Sequence, residues 1–125
     1  MNQGSNSLNS KDFDPQTLLD RVHGDLNLLH ELVDLLAVEA PGMLGRIEKA
    51  IQHRSASELE KASHTIKGSM LQFSAHKAAD IALQLEESAQ ANSMAGSQIL
   101  LEKLRREIDV LQQTLRAMLQ NGSSH

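Results

Sequence analysis

The sequence predicts an all-α fold: an antiparallel, up-and-down four-helix bundle with a short additional N-terminal helix. Three observations predict it. Apolar residues recur at spacings of three and four in successive segments, and at about 100° per residue each set forms one stripe on a helix. The breaks between segments are short and polar, so consecutive helices must run antiparallel. Trp and Tyr are absent and Phe occurs only at Phe13 and Phe73, whereas β-rich folds favour aromatic and β-branched residues.

The elements follow in order. Residues 1–12 are polar, rich in Asn and Ser, and read as a flexible leader. Asp14-Pro15 has the form of a helix start, with Asp as cap and Pro at the first helical position. A short helix to about Val22 would bury Leu18, Leu19 and Val22 and cap one end of the bundle. Asp25 caps the next segment. Its apolar positions, Leu29, Leu32, Val33, Leu36, Ala40, Met43, Leu44, Ile47 and Ile51, stay on one face across Pro41-Gly42. That continuity predicts one helix over about 26–53, kinked at Pro41, with two separate helices as the alternative.

Ser55-Ala56-Ser57-Glu58 is a capping box. It opens a helix reaching about Phe73, with core stripe Leu59, Ala62, Ile66, Met70 and Phe73. Ser74 is expected to cap an alanine-rich helix over about 76–91, whose small residues permit close approach to a neighbour. Residues 92–96 break the pattern. The last helix carries a heptad-like seam of Leu101, Leu104, Ile108, Leu111, Leu115 and Met118, and is expected to end before Asn121-Gly122. The bundle thus spans 13–120, with 121–125 a disordered tail.

Composition excludes several classes. The chain has 125 residues, enough for one core, and no cysteine, so disulfides and thiolate metal sites are out. A net charge of -4 and the lack of stacking aromatics argue against nucleic acid. No apolar stretch approaches the roughly 20 residues needed to span a bilayer, so no membrane insertion is expected. The leader lacks a signal-peptide apolar region, and the expected location is cytoplasmic. The histidines have no paired metal-ligand spacing, and Glu60-x-x-x-His64 is one residue longer than the Glu-x-x-His of di-iron bundles. No glycine-rich nucleotide loop is present, so the chain is expected not to use ATP.

His64 lies roughly 140° to 150° from the centre of its helix's core stripe. Lys67 at i+3 and Gly68 at i+4 share its side. An exposed imidazole is a nucleophile near neutral pH, and an ammonium nearby suits an anionic group attached to it. Gly68 costs about 1 kcal/mol relative to alanine inside a helix. On a solvent face that glycine has no packing reason; it clears space beside His64. Leu71 lies roughly 20° from His64 on the same face. Glu60, Gly68, Leu71 and Gln72 form the expected docking face. Glu86 and Glu87 are expected to face water beside Lys67, with contact between Glu86 and the His64 region left open.

The stretch 62–90, ASHTIKGSMLQFSAHKAADIALQLEESAQ, resembles the signature of histidine-containing phosphotransfer (HPt) domains: an exposed His, then x-x-Lys-Gly-Ser, a loop, and a helix ending in Leu-Glu. His64, Lys67, Gly68, Ser69 and Leu85-Glu86 match it. The segment from Phe13 to Ile51 is similar to the family's opening, a short helix and a long one interrupted by Ala-Pro. Ser74 departs from the pattern, which often has Gly in that loop.

The resemblance implies that His64 accepts a phosphoryl group on Nε2 from a receiver-domain aspartyl phosphate and hands it to a second receiver aspartate. Lys67 would stabilise the phosphoryl oxygens. The chain would need no cofactor of its own, Mg²⁺ being supplied by the partner. The implied partners are response-regulator receiver domains and a hybrid sensor histidine kinase, met by a monomer that carries phosphate without being an enzyme. The alternatives are a phosphoacceptor module of a chemotaxis-type kinase and a non-catalytic helical adaptor.

Overall fold

The computed structural model describes residues 15–123, with side-chain environments for 16–120. The expected leader, Phe13 and the Asp14 cap lie outside the described residues. Five helices follow: α1 (Pro15–Arg21), α2 (Leu26–Gln52), α3 (Ala56–Gln72), α4 (His76–Gln90) and α5 (Ser97–Ser123). Helices α2 to α5 form the four-helix bundle. α3 packs between α2 and α4, and α5 closes the ring by packing on α4 and α2. The core is one continuous apolar cluster that all five helices enter.

α2 is a single helix with Pro41 inside it. Leu29, Val33, Leu36, Ala40, Leu44 and Ile47 are buried on both sides of the proline. Tertiary burial of one uninterrupted stripe therefore outweighs the roughly 3 kcal/mol cost of an internal proline. Asp25 accepts a hydrogen bond from the Leu28 amide at 3.1 Å, and Ser55 from the Glu58 amide at 3.2 Å, so both predicted caps form. α1 buries Leu18, and Val22, directly after the helix, is buried too, while Leu19 is only partly buried. It sits at the end of α3: the Arg21 guanidinium donates to the Leu71 carbonyl at 2.8 Å and to that of Gln72 at 3.3 Å. A cation there satisfies terminal carbonyls and offsets the negative end of the helix dipole.

Two details of α5 correct the sequence reading. The helix continues through Asn121-Gly122 to Ser123 instead of ending before them, so residues 121–123 are helical, not a disordered tail. The seam ends on Leu119, which is buried, and not on Met118, which is partly buried. A straight helix drifts about 20° per heptad against an alternating three-four pattern. By the last turn position 119 lies closer to the stripe's centre than position 118.

The ends of α1 to α4 share one geometry. His23, Arg54, Ser74 and Asn92 have φ of 54°, 53°, 57° and 54°. At each, two backbone hydrogen bonds, one wider and one tighter than those of the helix, close it; at α3 these are Ala75 N to Met70 O at 2.9 Å and Ser74 N to Leu71 O at 3.0 Å. Ser74 therefore terminates α3 and does not cap α4. The residue before α4 is Ala75, which makes no side-chain cap hydrogen bond. Ser74 is fully buried, and its hydroxyl has no partner among the described residues.

Ser74→Gly should consequently raise stability. Left-handed backbone costs an L-residue about 1–2 kcal/mol, and an unpaired buried hydroxyl costs about 1–3 kcal/mol. Against this, glycine adds about 0.4–1 kcal/mol of unfolded-state entropy. The expected gain is about 1 kcal/mol, read as a higher urea midpoint at unchanged slope.

Candidate functional site

His64 lies near the middle of α3, and its side chain is 69% exposed. The stripe that turns it outward is Leu59, Ala62, Ile66 and Met70, all buried. Its Nδ1 lies 3.0 Å from Oε2 of Glu86 on α4. Lys67, one turn along α3, donates from Nζ to Oε1 of the same carboxylate at 2.7 Å. Glu86 is itself buried. One buried carboxylate thus binds a histidine and a lysine of the neighbouring helix, one on each oxygen.

This arrangement fixes the imidazole. Facing a carboxylate, Nδ1 carries the hydrogen and donates it, so the lone pair of the neutral ring is on Nε2. Nε2 makes no hydrogen bond to the described residues and points its lone pair away from the α3–α4 seam. The Lys67 ammonium, hydrogen-bonded to Glu86, holds the Glu86 carboxyl below its ordinary value of 4.5; burial opposes this, and the His64 hydrogen bond adds to it. Glu86 is therefore an anion at neutral pH, and its charge is compensated.

The expected location of Glu86 in water is overturned. α4 lies against α3, and position 86 falls four residues after Ala82 and three before Ala89, both buried. That spacing puts it on the inward stripe, and a charge there must be paired. The signal was in the sequence; only Glu87 of the pair is exposed. Ser63, also missed, is fully buried next to His64 in sequence, its hydroxyl without a partner among the described residues.

The other predicted residues divide. Gly68 is exposed, and a Cβ added there would meet nothing within 4 Å. Leu71 is 42% exposed and Gln72 is exposed. These three continue the His64 face toward the end of α3. Glu60 does not stand free: Oε2 accepts a hydrogen bond from Gln90 Nε2 at 3.0 Å, a second tie between α3 and α4. Lys67 is partly buried against Glu86, so its ammonium rests on the carboxylate and not in open solvent above His64.

Among the described residues no group of three or more His, Asp or Glu could hold a metal ion, and no helix is long and apolar enough to cross a membrane.

The charge network gives a pH prediction. Because Glu86 has a lowered folded-state value, its ionised form contributes stability above about pH 4.5 and loses that contribution as pH falls through the lowered value. Relative to Glu86→Gln, the wild-type protein should therefore lose stability on acidification below that pH. Urea midpoints of the two proteins from pH 7 to pH 3 test this; a constant difference throughout would refute it.

The family model of the Hpt domain matches residues 31–114, a span that contains His64, Lys67, Gly68 and Glu86. The structure is similar to the crystal structure of histidine-containing phosphotransfer protein B (HptB) from Pseudomonas aeruginosa PAO1. The TM-score is 0.81 at 22% sequence identity, with 88% of this chain and 96% of that chain covered. At that identity the likeness speaks for the fold. No curated protein matches the sequence. With the family model matching most of the chain, from within α2 into α5, the protein belongs to the Hpt domain family, the histidine phosphotransfer modules of phosphorelays.

Proposed function

We propose that His64 is the phosphoacceptor of this Hpt domain, taking a phosphoryl group from the aspartyl phosphate of one receiver domain and passing it to the aspartate of another. The observation that supports the reading most is the exposed imidazole whose Nδ1 is held by Glu86 while Nε2 is left open. In the proposed step the Nε2 lone pair attacks phosphorus in line. The Nε2–P bond forms, the aspartyl O–P bond breaks, and the aspartate leaves as a carboxylate. The Nδ1 proton stays on the ring, which gains positive charge beside the Glu86 anion. A carboxylate so placed orients the ring and stabilises the cation that develops, as the aspartate does in a Ser-His-Asp triad.

Lys67 serves this scheme through its charge. On Glu86 it keeps the carboxyl ionised. When the phosphoryl group arrives, three anionic oxygens compete with Glu86 for the ammonium, which sits on a flexible stem. Gly68 and Leu71 offer the surface on which a receiver settles. The Mg²⁺ of the reaction belongs to the receiver in this reading, and the domain carries phosphate without using ATP.

His64→Gln should abolish acceptance of phosphate from phosphorylated receivers, with the fold kept and stability lowered by no more than about 0.5–1.5 kcal/mol for the altered hydrogen bond to Glu86. The label on the wild-type protein should be acid-labile and base-stable, as a phosphoramidate is. Undiminished labelling of the variant would assign the acceptor elsewhere.

Gly68 separates docking from folding. Gly68→Ala meets no neighbour and should stabilise the domain by up to about 1 kcal/mol. Gly68→Gln should fold and yet slow transfer sharply, while Lys67→Ala should slow transfer without blocking approach. A Gly68→Gln domain that transfers at the wild-type rate would remove the docking role of this face.

A further inference from the structure

On the α2 side of α3 lies a cleft of about 120 Å³ whose lining includes Arg46, Lys49 and His53 of α2 and its C-terminal turn, and Glu58 of α3. Arg54 is exposed in the turn between the two helices, and Lys61 is exposed on α3, three residues from both Glu58 and His64. The chain as a whole carries a net charge of -4. Around this cleft the balance is reversed: Arg46, Lys49, Arg54 and Lys61 stand against Glu58.

These cations have no ion-pair partner among the described residues. The other cations divide: Lys67 pairs with Glu86, Lys77 with Glu107 and Arg105 with Glu48, while Lys103, Arg106 and Arg116 on α5 are exposed with no ion-pair partner among the described residues. The cleft is a locally positive area on a negative molecule, and of the two groups of unpaired cations it is the one that adjoins α3. Its position is as informative as its sign. At 1.5 Å rise per residue, Lys61 and Glu58 lie about 4.5 and 9 Å along the helix from His64. A standard interface covers about 800 Å² per partner, a disc of radius roughly 16 Å. A domain seated on His64 therefore reaches the cleft.

We infer that this cleft is an electrostatic docking site for an acidic surface flanking the phosphorylated aspartate of the receiver domain that delivers its phosphoryl group to His64. The inference rests on the reading of His64 proposed above and adds to it the charge of the partner. An acidic receiver is repelled by the net charge of this chain and attracted at the cleft, the group of unpaired cations that adjoins the helix of His64. The local field therefore selects the orientation in which the aspartyl phosphate faces His64. Charges at the rim of an interface act mainly on the association rate and its salt dependence.

The test compares wild type with Arg46→Glu/Lys49→Glu and with a control, Lys103→Glu/Arg106→Glu on α5, which adds the same negative charge away from α3. Receiver domains of the source organism, phosphorylated with acetyl phosphate, serve as donors. At about 20 mM salt the cleft variant should lose about tenfold or more in kcat/KM with little change in kcat. At about 500 mM salt it should come within about twofold of wild type. The α5 variant should stay close to wild type throughout, and all three proteins should be phosphorylated equally by the small donor phosphoramidate. Equal low-salt rates for the cleft variant and wild type, or equal losses in both variants, would overturn the inference. Single-stranded RNA that binds wild type and not the cleft variant, with transfer unchanged, would assign the cleft to nucleic acid and overturn it as well. If phosphoramidate labels His64 and no receiver does, the receiver reading itself fails, and the cleft's role with it.

Discussion

Glu86 has one carboxylate and two hydrogen-bond partners, both on the neighbouring helix: Nδ1 of His64 and Nζ of Lys67. The site depends on this bridge because an exposed histidine has otherwise nothing to set its ring. Burying the carboxylate alone would be costly, since an unpaired charge loses its hydration. The cost is offset on both oxygens at once, and the bridge in turn binds α3 to α4 at the level of the candidate acceptor. The same contact ties two helices together and orients the imidazole.

The backbone makes that bridge possible. Glu86 reaches α3 because α4 presents small residues there; Ala78, Ala79, Ala82 and Ala89 are all buried. Larger side chains would push the helices apart and leave the short Glu side chain out of reach of His64. The register between the helices is set by the turn at 73–75, where Ser74 adopts a left-handed conformation. A serine there carries backbone strain and an unpaired buried hydroxyl, where glycine would carry neither. The turn nevertheless closes with both of its backbone hydrogen bonds, so the register survives a poor residue choice.

Charge is unevenly distributed. Lys67 is consumed internally, and its role is to hold a carboxylate ionised. The cations around Arg46 and Lys49 are left free toward solvent. On a chain with more acidic than basic residues, unpaired cations collected on one flank of α3 break the symmetry of the surface around His64. The apolar and glycine-flanked part of the face lies toward Leu71, the positive part toward Lys61. The face around His64 therefore differs at its two ends.

The sequence alone determined the helices, the bundle and the outward direction of His64, because these follow from periodicity: a stripe at 59, 62, 66 and 70 leaves position 64 facing away whatever the stripe packs against. It determined the caps at Asp25 and Ser55, which act within one turn; at Pro41 it favoured one helix and left two as the alternative, and the packed structure decides for one. It left the hand that holds His64 undecided. Its spacing from Ala82 and Ala89 puts Glu86 on the inward stripe, but an acidic pair in a helix reads as surface until a partner is known. Only the packing of α4 on α3 supplies that partner, from residues 19 and 22 positions away in the chain. The same holds for Glu60, tied to Gln90 across the seam, and for the cleft between α2 and α3. Periodicity fixes which way a side chain points from its own helix, and tertiary contact decides what it meets there.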